Sequence, residues 1–390
     1  MILAFVIINN MPIDFSKVPS PCFVLEESLF RRNLEIISKV QKDAGVKIIL
    51  AFKGFAMWSV FEIIKEYGIE TAAASSADEA RLCFEEMKAE AHTYSPAYKE
   101  IDLKEILKYS SHITFNSLHQ FNKNYLLVRN SKKSISLGLR INPEFSEVEP
   151  MIYNACSPGS RLGVTSDQLP DQLPDGIEGL HFHTLCESTS YELEKTLNVV
   201  KEKFGKYFNQ IKWINMGGGH LMTRKDYDVA HLISILKAFR KETNLEVILE
   251  PGSAFAWKTG FLVSQVLDIF DNKGIKTAIL DVSFTCHMPD CLEMPYQPKI
   301  LGAECTEIGE HIYRMGGNSC LSGDYMGFWA FDKELKTYDL VIFDDMIHYT
   351  MVKTTFFNGM HHPAIGIWYE KSGFKLIKEF NYSDYKSKLS

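Results

Sequence analysis

Four stretches of the sequence place a chemically useful group directly after an apolar run. Lys53 ends VKIILAFK, His183 lies in LHFHTLCE, the glycines 217–219 follow IKWINM, and Glu250 ends LEVILE. A lysine amine can form an imine with a carbonyl group. Successive glycines can expose backbone N–H groups to an anion. Each residue taken singly has an ordinary structural explanation; Lys53, for example, could reach water along its own side chain. The informative feature is therefore that all four groups lie at the end of an apolar run.

Eight β-rich runs follow one another from Lys47 to Glu250, with amphipathic helical stretches between most of them. The runs are VKIILAFK, GIETAAASS, EAHTYSPA, SHITFNS, SISLGLRINP, IEGLHFHTLCE, IKWINMGGGH and LEVILEPGSA. This alternation predicts an α/β fold, a (β/α)8 barrel of the TIM type over residues 28–258, with an open doubly wound sheet as the alternative. In a barrel the active site lies at the C-terminal ends of the strands, so these groups are expected to lie together there.

A second, mostly β domain is predicted from the remaining residues, 1–27 and 259–390. Its strand-like runs lack long helices between them. They are SPCFVLEES, GFLVSQVLDIFD, KTAILDVSF, HIYRMGG, YDLVIFDD and AIGIWY.

The composition limits the classes of function. The formal net charge of −7 and the pI near 6.0 provide no basic field, so no nucleic-acid partner is expected. Eight cysteines without a C-x-x-C pair indicate reduced thiols and a cytoplasmic protein. The apolar opening MILAFVIINN lacks the basic start of a signal peptide and is too short to span a membrane, and Met11 is a possible original start.

Together the strand-end groups indicate pyridoxal phosphate as the cofactor. The glycines 217–219 follow strand seven, where barrels commonly hold a phosphate. Lys53 would form the Schiff base, Glu250 would keep the pyridine nitrogen protonated, and His183 would stack on the ring. His181 and His183 could also form an H-x-H metal site, but the spacing supplies no third ligand, and no metal is expected.

Further motifs resemble those of a known family. They are HTYSPAY, SRLG, LDVSFTCHMPDCLEMPY, CLSGDYMG and DDMIHYTMVKTTFFNG. The chain resembles the alanine-racemase-like (fold type III) pyridoxal-phosphate decarboxylases, which include the ornithine and diaminopimelate decarboxylases. Within this group it is most similar to the carboxynorspermidine and carboxyspermidine decarboxylases. The resemblance implies an enzyme of polyamine biosynthesis and supports the roles given to Lys53, His183, Gly217, Gly218, Gly219 and Glu250.

The resemblance also assigns residues of the second domain. Cys320 resembles a cysteine that the second subunit supplies to handle the proton at Cα, and Tyr349 matches a tyrosine near the cofactor phosphate. A homodimer with shared active sites is thereby implied. Because the substrate would be a polyamine carboxylate with cationic amines, carboxylates are expected to bind it. The acidic residues proposed for this contact are Glu250, Asp290, Glu293, Asp324 and Asp345.

One departure concerns the motif that reads E-P-G-R in the ornithine and diaminopimelate enzymes. Ser253 stands in place of the arginine, so a phosphate or substrate contact at this position is in doubt. Three alternatives stay open at this point: a diaminopimelate-type decarboxylase, a racemase on the same fold, and a non-catalytic pyridoxal-phosphate-binding protein.

Overall fold

The structure is a computed structural model that describes residues 13–149, 151–294 and 296–390. The expectations for residues 1–12, their place in the β domain and a start at Met11, lie outside the described residues. The chain divides into two compact units. One unit is Asn33–Phe255, and the other combines the residues up to Arg32 with Ala256–Ser390.

The described residues form eighteen strands and eleven α-helices, numbered here in chain order. The strands are β1 Cys22–Glu26, β2 Lys47–Ile48, β3 Leu50–Ala51, β4 Ala72–Ala74, β5 Ala91–Tyr94, β6 Ser110–Phe115, β7 Ser136–Arg140, β8 Ile177–His181, β9 Trp213–Asn215, β10 Glu246–Leu249, β11 Gly260–Asn272, β12 Ile275–Leu280, β13 Ala303–Glu304, β14 His311–Gly316, β15 Tyr325–Phe331, β16 Leu340–Asp344, β17 Ala364–Tyr369 and β18 Gly373–Lys378. The helices are α1 Glu27–Ala44, α2 Phe61–Glu66, α3 Ala77–Leu82, α4 Glu100–Tyr109, α5 Leu118–Arg129, α6 Ser190–Phe204, α7 Val229–Thr243, α8 Ser253–Ala256, α9 Phe284–His287, α10 Pro289–Glu293 and α11 Tyr382–Leu389.

Strands β2 to β10 form a closed parallel barrel. Their order in the sheet is β2, β10, β9, β8, β7, β6, β5, β4, β3. The two ends belong to a single run that is interrupted at Ile49, since β2 pairs with β10 and β3 pairs with β4. The barrel prediction is confirmed, and the open sheet is excluded.

Trp213, the first residue of β9, is buried near the N-terminal end of the barrel, where it packs against Ile49 and Ile248. A Cβ atom added to Gly138 in β7 or to Gly179 in β8 would lie 2.3 or 2.0 Å from its ring, so only glycine fits at these two positions. The indole Nε1 donates a hydrogen bond to Ser136 Oγ at 2.8 Å. A packed interior at this end leaves the opposite, C-terminal end as the place where polar groups can collect.

Side-chain caps fix the start of several crossover helices. Ser76, Ser117 and Asp228 accept backbone N–H bonds at the starts of α3, α5 and α7. The crossover between β7 and β8 differs from the others, because it carries two short 3-10 turns, Met151–Tyr153 and Ser166–Gln168, in place of an α-helix. A long irregular connection of this kind is typical of functional loops.

The second unit is built around a mostly antiparallel sheet. Its order is β13, β15, β14, β12, β11, β1, β17, β18, with β16 paired to β11. β1 lies between β11 and β17, antiparallel to the former and parallel to the latter. Val24, Phe261 and Ile342 belong to its buried core. No helix in the described part of the chain is long and apolar enough to cross a membrane.

Candidate active site

The C-terminal ends of the barrel strands bring together four of the predicted groups. Lys53 follows β3, His183 follows β8, the loop Gly217–Gly219 follows β9, and Glu250 follows β10 directly. Lys53 Nζ lies 3.2 Å from His183 Nε2. These side chains therefore form one cluster although 197 positions separate Lys53 from Glu250 along the chain (250 − 53 = 197).

The glycine loop packs too closely against its neighbours to admit side chains. Gly217 and Gly219 have positive φ angles of 69° and 86°, a conformation that favours glycine. A Cβ atom on Gly218 would lie 2.4 Å from the carbonyl oxygen of Glu250. The loop is therefore a close-packed turn in which the N–H groups of Gly217 and Gly218 bond to Asn215 Oδ1 and His183 Nδ1. A glycine turn of this kind lets an anion such as phosphate approach the backbone closely.

His183 links the glycine loop to Lys53. Its Nδ1 accepts a hydrogen bond from the N–H of Gly218 at 2.7 Å. Burial, and the positive charges of Lys53 and Arg140, lower the pKa of His183 well below its usual range. A neutral imidazole that accepts at Nδ1 carries its proton on Nε2, and this geometry assigns Nε2–H as the donor toward Lys53.

The surroundings of Lys53 favour its neutral amine over the ammonium form, because they lower the pKa of the side chain. Burial is the main cause that lowers the pKa of Lys53, and the carboxylate of Glu250 opposes this effect. Lys53 is nonetheless exposed to solvent, which limits the effect of burial on its amine. A neutral amine has the lone pair that attacks an aldehyde carbon, and this is the chemistry that an imine-forming lysine requires.

Glu250 is positioned by Asn215, the last residue of β9. Asn215 Nδ2 donates to Glu250 Oε1 at 2.5 Å, and Asn215 Oδ1 accepts from the N–H of Gly217 at 2.9 Å. Burial raises the pKa of Glu250, but His181 and Asn215 outweigh it and lower the pKa overall. His181, whose Nε2 lies 3.6 Å from Glu250 Oε2, has a pKa lowered by burial, so it supports the carboxylate as a neutral dipole.

A second group of side chains holds the backbone at His183. The guanidinium of Arg140 donates to the carbonyl oxygen of His183 at 3.2 Å and lies 4.7 Å from the ring centre of Tyr94. The Tyr94 hydroxyl donates to Asn116 Oδ1 at 2.8 Å. Asn116, Arg140 and Asn215 were not among the site residues predicted from the sequence. The only signal for Asn215 was its position directly before MGGG.

In the second unit, Cys320 lies in the loop between β14 and β15 and is exposed. Its backbone N–H donates to Asn358 Oδ1 at 3.0 Å. Asp324 lies in the same loop and is buried, with its carboxylate accepting from the hydroxyl of Ser319 at 2.6 Å. Tyr349 is half-buried, with a positive φ of 49° and its ring edge-on to that of His348.

The other predicted acidic residues differ in their partners. Asp290 is buried, and its Oδ2 accepts hydrogen bonds from the hydroxyls of Tyr296 and Thr350, both at 2.9 Å. Glu293 is exposed and forms an ion pair with Lys353.

Asp345 accepts from the N–H of Lys258 at 2.6 Å and lies 3.2 Å from His348 Nε2. Within the described ranges, no three His, Cys, Asp or Glu side chains are grouped so that they could hold a metal ion.

A lysine with a lowered pKa, a close-packed glycine turn and a supported carboxylate at the C-terminal end of a (β/α)8 barrel fit pyridoxal phosphate. They define the class of pyridoxal-phosphate enzymes built on this barrel and a β domain. The chain belongs to the pyridoxal-dependent decarboxylases: residues 29–257 match the model of the family's pyridoxal binding domain. It is therefore an enzyme that uses pyridoxal phosphate.

Individual relatives are similar along nearly the whole chain. The carboxyaminopropylagmatine decarboxylase of Synechocystis sp. is 49% identical over 96% of this chain and 96% of its own. The carboxynorspermidine/carboxyspermidine decarboxylase of Campylobacter jejuni is 44% identical over 95% and 98% of the two chains. The crystal structure of carboxynorspermidine decarboxylase from Campylobacter jejuni, complexed with norspermidine, matches with a TM-score of 0.88 and 42% identity, covering 95% of this chain and 100% of that one.

Proposed function

We propose that the protein decarboxylates carboxynorspermidine or carboxyspermidine to norspermidine or spermidine in polyamine biosynthesis. The observation that carries this proposal is the similarity, over 95% of this chain, to the Campylobacter jejuni decarboxylase of these two compounds. The cluster of Lys53, His183 and Glu250 supports it, because it supplies the groups that a pyridoxal-phosphate decarboxylase needs.

The roles proposed for the barrel residues follow from their geometry. When bound, the cofactor supplies an electron sink for the bond pair left by the departing carboxylate. Lys53 would hold the cofactor through its amine, and the loop Gly217–Gly219 would bind the phosphate. Glu250 is held ionised and would keep the pyridine nitrogen protonated. His183, fixed by the glycine loop, would stack on the ring.

The roles proposed for the second unit rest on the resemblance together with exposure. Cys320 is exposed on its loop and would give a proton to Cα after carbon dioxide leaves. Tyr349 would lie near the cofactor phosphate. We further propose a cytoplasmic homodimer in which each active site takes Cys320 from the neighbouring subunit.

Among the acidic residues proposed to bind the amine tail, Asp290 is the one we favour. Its Oδ1 is buried and has no hydrogen-bond partner among the described residues, while Oδ2 already has two. A buried carboxylate oxygen without a donor favours a cationic ligand. Glu293 is neutralised by Lys353, Asp324 already accepts hydrogen bonds within its own loop, and Asp345 accepts from the backbone N–H of Lys258.

A second candidate substrate is carboxyaminopropylagmatine. It is favoured by the relative from Synechocystis sp., which is 49% identical and is a decarboxylase of that compound. The two candidates share the α-amino acid end and differ at the far end, where agmatine carries a planar guanidinium in place of a primary amine. A guanidinium can form two parallel hydrogen bonds to one carboxylate, so the two tails require different partners.

The test compares carbon dioxide release from five amino acids by the purified protein loaded with pyridoxal phosphate. They are carboxynorspermidine, carboxyspermidine, carboxyaminopropylagmatine, diaminopimelate and ornithine, each also offered to Lys53→Ala. We expect release from the first group of three to exceed that from the last two by at least about 100-fold in kcat/KM. Comparable turnover of all five would refute the proposal. Product without gas, of inverted configuration, would indicate a racemase, and a bound cofactor with no turnover would indicate a binding protein.

A further inference from the structure

The loop that carries Cys320 is held on both sides by side chains. Within the loop, Asp324 Oδ2 accepts from both the hydroxyl and the backbone N–H of Ser319, at 2.6 and 3.1 Å. Asp324 Oδ1 accepts from the N–H of Thr285 at 3.1 Å, which ties the loop to α9. On the other side, the backbone N–H of Cys320 donates to Asn358 Oδ1 at 3.0 Å. The backbone of Cys320 is therefore held in place from both sides, and this limits where its side chain can lie.

Asn358 is itself well suited to hold this position. Its φ of 55° lies in the left-handed region, which asparagine, aspartate and glycine adopt more readily than other residues. The turn around Asn358 is held by contacts of its neighbouring residues, Phe356 and Gly359. The ring of Phe356 lies 3.8 Å from that of His362, and a Cβ atom on Gly359 would lie 3.5 Å from the ring of Tyr385 in α11. The acceptor oxygen therefore has a fixed place outside the Cys320 loop.

We propose that Asn358 is a positioning residue, which sets the direction from which Cys320 delivers its proton. The inference rests on the proposed function of Cys320. In that step the S–H bond breaks and a C–H bond forms at Cα, where the departing carbon dioxide left its bond pair. The S–H pair stays on sulfur as a thiolate, which water then reprotonates. If the thiol is fixed on one side of Cα, the new hydrogen is added to one face only.

Two substitutions separate the hydrogen bond from the backbone conformation. Asn358→Gly removes the acceptor oxygen and tolerates the positive φ, whereas Asn358→Asp keeps both an acceptor oxygen and the same side-chain shape. Hydrogen exchange of the protein without cofactor reads the bond directly. In Asn358→Gly we expect the Cys320 amide to exchange about threefold to tenfold faster, and the amides of β14 to be unchanged. In Asn358→Asp the Cys320 amide should exchange as in the wild type.

The second readout is the stereochemistry of the product formed in deuterium oxide from carboxynorspermidine, or from carboxyaminopropylagmatine if that is turned over faster. The product carries one deuterium at the former Cα. We expect one enantiomer from the wild type and from Asn358→Asp, and a clear loss of enantiomeric excess in Asn358→Gly and in Cys320→Ala. A general loss of activity would lower the rate and leave this ratio unchanged.

The outcomes distinguish two failures. If Cys320→Ala loses enantiomeric excess and Asn358→Gly does not, Asn358 does not position the cysteine and the inference is wrong. If Cys320→Ala itself gives one enantiomer at the wild-type rate, the proposed role of Cys320 fails, and the inference falls with it. Unchanged exchange of the Cys320 amide in Asn358→Gly would overturn the inference independently of the reaction.

Discussion

Substitution of Gly218 by alanine should weaken cofactor binding while leaving the barrel folded. The added Cβ would lie 2.4 Å from the carbonyl oxygen of Glu250 and 3.2 Å from His183 Cε1. An ordinary contact begins near 3.4 Å, so the loop must move by about 1 Å (3.4 − 2.4). The φ of Gly218 is not positive, so the effect comes from lost space and not from backbone strain.

The cost of this displacement can be judged from two contributions. Overpacking of a tight site typically costs about 1–3 kcal/mol. A shift of 1 Å would also break the 2.7 Å bond from the Gly218 N–H to His183 Nδ1, which is worth about 0.5–1.5 kcal/mol. We therefore expect pyridoxal phosphate to bind at least about 30-fold more weakly, corresponding to about 2 kcal/mol.

The assay is a titration of the protein with pyridoxal phosphate, followed by visible absorbance, with thermal unfolding of the cofactor-free protein measured in parallel. Gly205→Ala is the matched control, since no atom lies within 4 Å of its added Cβ. It should bind the cofactor as the wild type does. Affinity of a folded Gly218→Ala protein within about threefold of the wild type would refute the steric reasoning.

Four further predictions address other groups. Lys53→Ala should lose the visible absorbance of the bound cofactor and all carbon dioxide release, while its circular dichroism spectrum stays unchanged. Glu250→Gln should keep the cofactor but lower kcat by about 100-fold or more. Burial lowers the pKa of His112 from 6.5 to about 4, so the unfolded chain binds a proton in this pH range that the folded chain does not. The free energy of unfolding should therefore fall by up to about 3 kcal/mol as the pH drops from 6.5 toward 4. Urea unfolding at pH 7 and 4.5 measures this loss of stability, which should be smaller for His112→Gln. Asp290→Asn should raise KM for carboxynorspermidine at least about tenfold, whereas Glu293→Gln, which removes an exposed ion-paired acid, should change it less than threefold.

The barrel could be predicted from the sequence because its signal is repeated. Eight β-rich runs alternate with helical stretches, and most of these runs carry a polar or glycine residue near their C-terminal end. The interruption at Ile49 could not be predicted, since it results from pairing with β10 on one side and β4 on the other. The strand β15 was missed because its residues, YMGFWAF, do not alternate between apolar and polar.

Residues that position another residue, and do not themselves carry the chemistry, could not be predicted from a repeated sequence pattern. Asn215 carries no charge and ends an ordinary strand, yet it holds both Glu250 and the glycine loop. Asn358 lies in FFNG, where a turn asparagine would pass unnoticed, and its contact with Cys320 spans 38 residues. Such roles depend on which atoms meet in space, and local pattern cannot supply that information.

The acidic residues show a related limit of prediction from sequence: a carboxylate can be identified, but its partners cannot. The sequence could name Asp290, Glu293, Asp324 and Asp345 as carboxylates, but a carboxylate binds a cationic ligand only if its charge and lone pairs are not already satisfied. Two of them accept hydrogen bonds that organise loops, and one faces Lys353. Asp290 alone of these four combines burial with an oxygen that has no partner in the described residues. Because of this unpaired buried oxygen, Asp290 is the first residue to substitute when the two candidate substrates are compared.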